Sequence, residues 1–168
     1  GKLNSAKGYD VFGDSVIKIL NKYKDWEASV IGHEEREKII FKHPRLNILG
    51  FKDNKFVLNH LKYVSISVVC SRWEEPFGRV SLESSSRGAA VITSNRGGLL
   101  ETTKNSIVLK SLNKKELVKE ISKLINNKNL LLKKQKTNYN NFFLSHSFVA
   151  KIIDNIRKNY EPKINFTN

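Results

Sequence analysis

Five short apolar runs punctuate this chain, and stretches of helical spacing separate them. The runs are EASVIG (27–32), LNILG (46–50), VSISVVC (64–70), AAVITS (89–94) and IVLK (107–110). Each has the length and β-branched content of a buried strand. Ahead of the first, Tyr9, Phe12, Val16, Ile19, Leu20 and Tyr23 recur at the 3.6-residue period of one helix face. EEREKIIF (34–41) reads as a helix with acids in its first turn, and residues 55–63 as a helix with Phe56, Leu58 and Leu61 inward. RVSLESSSR (79–87) starts another. After the last run only helices are expected, over 114–126, about 130–143, and 147–160. Strands that alternate with helices imply parallel pairing, because parallel neighbours need crossover connections. The expectation is one α/β domain over residues 1–168. It is a doubly wound parallel sheet with helices on both faces and a helical C-terminal tail, of which 145–160 forms the last helix.

The 168 residues suffice for one domain with a core and are short for two. No apolar run approaches membrane-spanning length. GKLNSAKG at the start reads like the end of a strand already under way, as in a piece of a longer polypeptide. A single cysteine, Cys70, allows no internal disulfide and fits a reducing compartment. The four histidines keep no metal-ligand spacing, and no metal is expected. Net charge is +14, concentrated late: residues 104–168 hold 14 basic against 4 acidic side chains, the first 103 hold 16 against 12. Such an excess suits an anionic membrane surface or a plain solvated face. A nucleic-acid partner is disfavoured, because Phe142, Phe143 and Phe148 fall in apolar stripes instead of interleaving a basic surface.

In open parallel sheets, ligands bind beyond the carboxyl ends of the strands. At those ends stand Lys2 and Lys7 in a polar loop, Gly32, Gly50-Phe51, the stretch RWEEPFGRVSLE (72–83), and Gly97-Gly98. Glycines, cations and helix N-termini gathered on one edge suit phosphate. No GxGxxG follows a strand and no GxxxxGK[ST] occurs, which disfavours nicotinamide cofactors and P-loop nucleotides. Seven residues separate Glu75 from Glu83. With a helix starting near Arg79, Glu83 lies one turn inside it and can accept from two vicinal hydroxyls, as a ribose presents them. Glu75, in the loop, reaches a different part of the ligand. Gly78 permits close backbone approach, and the N–H groups of Arg79 and Val80 are free helix-start donors. Hydroxyls at two ends with a diphosphate between them describe a sugar nucleotide.

These residues resemble the retaining glycosyltransferases of family 4, specifically the C-terminal, donor-binding half of their GT-B fold. The likeness rests on EPFGRVSLE, on SRGAAVITSNRGGLLE, and on GKLNSAKGYD. It implies a Rossmann-like domain that binds a nucleotide-diphosphate sugar, UDP- or GDP-linked, with no metal and no other cofactor. It implies that Glu83 holds the ribose hydroxyls and that Glu75 contacts the sugar and stabilises charge during transfer. Backbone groups of Phe77, Gly78, Arg79 and Val80 would line the sugar and phosphates, and Lys7 would neutralise the diphosphate. Lys2 stands where the family more often has arginine, so it keeps the charge without the bidentate fork. Phe51 falls where the base lies. Ala90 and Leu100 replace prolines of the family pattern, and ETTKNSIVL is a shortened connection.

The resemblance further implies an N-terminal domain that binds the acceptor, against which 145–160 packs. It also implies an isolated domain without transfer activity, and a cytoplasmic protein of glycan or lipopolysaccharide synthesis, peripheral on the inner face of the membrane. A sugar-nucleotide epimerase-like domain and a basic nucleic-acid-binding module are the alternatives.

Overall fold

The structure, a computed structural model, describes residues 1–160. A one-turn 3-10 helix (Ser5–Lys7) leads into α1 (Tyr9–Lys22). β1 (Ala28–Val30), β2 (Leu46–Ile48), α2 (Asn54–Leu61), β3 (Ile66–Val69), α3 (Arg79–Ser86) and β4 (Ala90–Thr93) follow. Then come α4 (Leu99–Thr102), β5 (Ile107–Val108), α5 (Lys114–Asn126), α6 (Lys128–Asn140) and α7 (His146–Tyr160). All pairings are parallel and form two ladders, β1–β2 and β3–β4–β5. Between the ladders Gly1 bonds to the chain beyond β1: its amino group donates to the Ile31 carbonyl and its own carbonyl accepts from the His33 N–H. That is the pattern of a parallel bridge, and it matches the strand-like reading of the opening residues, although no strand extends from it among the described residues.

Helices cover both faces of the β3–β5 ladder. Ala90 and Ile92 of β4 join Val11 and Ile19 of α1 and Leu117, Ile121 and Leu124 of α5 in one apolar cluster. The opposite face meets α3 through Ser67, whose hydroxyl lies 2.7 Å from that of Ser84. α6 sits beside it, with the Asn138 amide donating to the Ala89 carbonyl at 2.7 Å. Buried Ser81, Ser84 and Ser85 on α3 are small enough to let that helix approach the sheet. A second cluster, of Tyr9, Val16, Leu20, Val30 and Leu46, fastens α1 to the β1–β2 ladder. α1 thus contributes to both cores.

The expected helix at 34–41 does not form. Ile39 and Phe41 pack on the second cluster while Ile40 between them is 72% exposed, the two-residue period of extended chain. A helix would turn Ile39 and Phe41 to different sides. The acids meant for its first turn are engaged elsewhere. Glu34 accepts from the Arg36 guanidinium and from the Asn4 amide, and Glu37 from the N–H and hydroxyl of Ser5. Those bonds, from Arg36 foremost, hold the Glu34 carboxyl down to about 2.

α7 buries no residue. Phe148, Val149, Ile152, Ile153, Ile156 and Tyr160 form an exposed apolar stripe at helical spacing. The ring of Phe148 meets Phe143 edge to face, with centroids 5.6 Å apart. The last eight residues of the expected 1–168 domain lie outside the described residues.

Candidate functional site

The loop before α1 and the loop after β3 are zipped together. The Ala6 carbonyl accepts from the N–H groups of Arg72 and Trp73, at 2.9 and 3.2 Å. The Arg72 guanidinium holds both carboxylate oxygens of Asp10 at 2.7 Å and also reaches the Ser5 carbonyl. That bidentate bond, before any other cause, lowers the Asp10 pKa. Gly8 takes φ 69°, and a Cβ there would meet the Cys70 carbonyl oxygen at 1.8 Å, so only glycine fits the crossing. Asn4 caps the short helix by accepting from the Lys7 N–H at 3.0 Å. Lys7 therefore leaves a backbone fixed at both ends, and its ammonium meets Oε1 of Glu75 at 2.5 Å. These two residues, 68 positions apart in sequence, are brought together by the fold.

Glu75 is anchored from behind. Its carbonyl accepts from the Gly98 N–H at 2.7 Å, and a Cβ on Gly97 would strike that same carbonyl oxygen at 2.3 Å. A Cβ on Gly98 would meet the Pro76 carbonyl oxygen at 2.7 Å. Gly97 and Gly98 thus support the turn that carries Glu75. Beyond the turn, Gly78 adopts φ 77° and caps α3. The Gly78 carbonyl accepts from the Leu82 N–H and the Ser81 hydroxyl, while no backbone acceptor engages the N–H of Arg79 or Val80 among the described residues. Glu83 lies one turn into α3. Its Oε1 accepts from the Arg79 guanidinium and from the Asn54 amide, each at 3.1 Å.

Of the remaining expected residues, Gly32 sits against Gly1, where a Cβ would meet the Gly1 carbonyl oxygen at 1.8 Å. Lys2 is exposed, and Phe51 stands 79% exposed on the loop after β2. Phe77 and Val80 are about half exposed at the start of α3. Three features escaped sequence reasoning: the Arg72–Asp10 clamp, the Asn54 bond to Glu83, and exposed Trp73 beside the carboxylate turn. The strand-end rule puts all of them on one edge but does not pair them. Glu74 faces outward and pairs with Arg96. Burial pushes the Cys70 thiol up to about 12, which removes it as a nucleophile at neutral pH. Among the described residues no group of three or more His, Cys, Asp or Glu side chains is disposed to hold a metal.

Two carboxylates flank a helix start, with a cation on one of them. The family described as Glycosyl transferases group 1 matches residues 1–141. The chain belongs to this family. It is 28% identical over 153 residues to the Bacillus subtilis (strain 168) protein named "Putative glycosyltransferase YtcC", which spans 81% of this chain and 38% of that one. The chain therefore spans well under half the length of that relative. Among solved structures, the C-terminal domain of the group 1 protein LpcC from Francisella tularensis superposes with a TM-score of 0.69. That match has 22% identity and covers 83% of this chain and 80% of that one. Anabaena Alr3699/HepE, solved with UDP and glucose, gives a TM-score of 0.74 at 16% identity over 94% of this chain and 46% of that one. The fold of this group 1 glycosyl transferase chain is that of a C-terminal GT-B domain. Membership does not favour the epimerase-like or nucleic-acid-binding alternatives.

Proposed function

We propose that this domain holds the nucleotide-diphosphate sugar of a retaining, family 4-type glycosyltransferase, whose acceptor site lies on an N-terminal GT-B half. The observation that carries this reading is the 2.5 Å approach of Lys7 to Glu75 beside the open N-terminus of α3, with Glu83 one turn further on. A diphosphate placed there meets the Lys7 ammonium and the N–H groups of Arg79 and Val80. Glu83 accepts from the ribose hydroxyls, and Glu75 from hydroxyls of the sugar. Phe51 offers a face to the base, and Phe77 and Val80 border the sugar.

In transfer the bond between the anomeric carbon and the diphosphate oxygen breaks, and the electron pair stays with the diphosphate. The acceptor hydroxyl oxygen forms a bond to the anomeric carbon, and its proton passes to the departing diphosphate oxygen. Lys7 and the helix-start amides act on the charge that develops on the leaving group. They supply the positive charge a divalent ion would otherwise supply, so the proposal requires no metal. The HepE structures hold UDP or UDP-glucose, which makes UDP the first nucleotide to test.

Glu83→Ala is expected to weaken nucleotide binding about 10- to 100-fold, since charge-assisted bonds contribute roughly 1.5–3 kcal/mol and about 1.4 kcal/mol is tenfold. A thermal-shift panel of UDP-, GDP- and ADP-sugars selects the ligand and calorimetry measures the loss; equal affinity for the variant overturns the assignment of Glu83. The exposed stripe of α7 suits packing on the N-terminal half, and the basic C-terminal part suits a cytoplasmic protein resting on an anionic membrane. Sedimentation of the full-length protein with anionic vesicles tests the second point, and equal binding to neutral vesicles counts against it. No helix of the described residues is long and apolar enough to cross a membrane.

A further inference from the structure

We infer that Glu75 and the donor diphosphate compete for the Lys7 ammonium, so that Glu75 selects the sugar nucleotide over the bare nucleoside diphosphate and promotes release of that product. The inference rests on the donor-site reading given above. Lys7 Nζ and Glu75 Oε1 are 2.5 Å apart, with side chains 34% and 16% exposed, so the pair is partly shielded from solvent. Both backbones are fixed, Lys7 by the Asn4 cap and the bond of Gly8 N–H to Ser5, Glu75 by Gly98. Exchange therefore takes place at side-chain level: the four-carbon stem of Lys7 swings while the loops stay in place.

The three arginines around the carboxylate turn are already engaged. Arg72 is held by Asp10, Arg79 by Glu83, and Arg96 by Glu74. Lys7 is the cation paired with Glu75 itself, so a phosphate arriving at the start of α3 must share it with that carboxylate. While a sugar is attached, its hydroxyls satisfy the Glu75 carboxylate and its bulk separates that carboxylate from the phosphate. After transfer the terminal phosphate is uncovered and more negative, and it faces Glu75 directly. Like charges then compete for one ammonium, the carboxylate returns to Lys7, and the product is expelled.

A carboxylate that only held the sugar would leave affinity for a bare nucleoside diphosphate unaffected when neutralised. A competing carboxylate makes removal of its charge tighten that affinity. Calorimetry of the full chain with UDP, GDP and ADP, then with the matching UDP- or GDP-sugar, separates the two. Glu75→Gln is expected to bind the preferred nucleoside diphosphate about three- to tenfold tighter, and to gain less or lose affinity for the sugar nucleotide. In a Lys7→Met background the same substitution is expected to give no gain, because the contested cation is gone. Unchanged or weaker nucleoside diphosphate binding by Glu75→Gln overturns the competition and leaves the donor site standing. A gain that persists in Lys7→Met also overturns it. If neither the unmodified chain nor Glu75→Gln binds any of the three nucleoside diphosphates or a matching sugar nucleotide, the donor-site reading is overturned, and the competition with it.

Discussion

The two ladders of this domain are built to different standards. In the β3–β5 half every residue of β4 is buried, and Leu117 and Leu124 of α5 close over it with no exposed surface. In the β1–β2 half the strands are three residues long, Asn47 is exposed, and Ile48 is 48% exposed. Glu75 and Glu83 stand on the tightly packed half, at the end of β3 and the start of α3. Gly50 and Phe51 stand on the looser one. The difference fits the proposed division of labour. Carboxylates that must meet particular hydroxyls need support to within a fraction of an ångström, whereas a flat base against one aromatic face tolerates more play. Lys7 enters from the seam, on the loop leading into the helix that both halves share.

The sharpest way to break this contrast is to truncate one apolar side chain in each half. Leu124→Ala opens a cavity in a site with no solvent contact and is expected to cost about 2–5 kcal/mol. Ile48→Ala, on a strand edge half open to water, is expected to cost about 1 kcal/mol or less. Urea unfolding followed by circular dichroism compares them. Equal shifts in midpoint would mean that the two halves are equally consolidated.

The looser half has one strong polar anchor, and removing it sharpens the contrast further. Arg45, just before β2, donates from one guanidinium nitrogen to the carbonyls of Tyr23, Lys24 and Trp26 at 2.6–2.8 Å, and from another to that of Leu20. It satisfies the Leu20 carbonyl that the last turn of α1 leaves open, gathers carbonyls of the loop that follows, and places positive charge at the negative end of the helix dipole. Arg45→Ala is expected to cost about 1.5–3 kcal/mol, and Arg45→Lys to recover part of it, because an ammonium lacks the planar fork. In hydrogen exchange the loss should appear first at β1 and β2. A uniform loss of protection that includes β4 would show that the halves open as one unit.

How far the sequence carried depended on the range over which each feature is encoded. Strands were legible because short apolar runs and β-branching are local, and the helix at 114–126 was found with the bounds the structure gives it. The segment 34–41 misled because its acids precede apolar residues as in a helix start. What decides its shape is Ser5 and Asn4, some thirty residues earlier, together with the second core on which Ile39 and Phe41 rest. The Glu75–Glu83 spacing was legible, since one turn and one helix start separate the two. The Lys7–Glu75 pair and the clamp of Arg72 on Asp10 were not, because 68 and 62 residues intervene and only the folded sheet edge joins them. Gly97 and Gly98 were expected at the ligand, and their close approach to the backbone of Glu75 and Pro76 shows a supporting position that no local pattern announces.

That clamp yields the smallest and most specific expectation. Arg72 belongs to the tightly packed half and Asp10 to the shared helix, so their bond ties the seam loop, and Lys7 with it, to the Glu75 turn. Both side chains are about 40% exposed, so solvent screens the pair and its contribution at neutral pH is expected to be about 0–1 kcal/mol. Its pH dependence has a definite sign. The folded-state pKa of Asp10 lies below its unfolded value, chiefly because of the Arg72 hydrogen bonds, so the unfolded chain binds the proton more readily. Stability from the clamp is therefore fully present above the ordinary aspartate range, near 4. It is lost as pH falls through the depressed folded value. Asp10→Asn removes this dependence. Melting temperatures of the two proteins are expected to differ at pH 7, to begin converging near pH 4, and to meet as the pH falls through the depressed folded value, where Asp10 of the folded protein becomes protonated. A difference that persisted unchanged at low pH would mean that Asp10 acts through packing and helix capping, and that the seam is held by the backbone bonds to Ala6 alone.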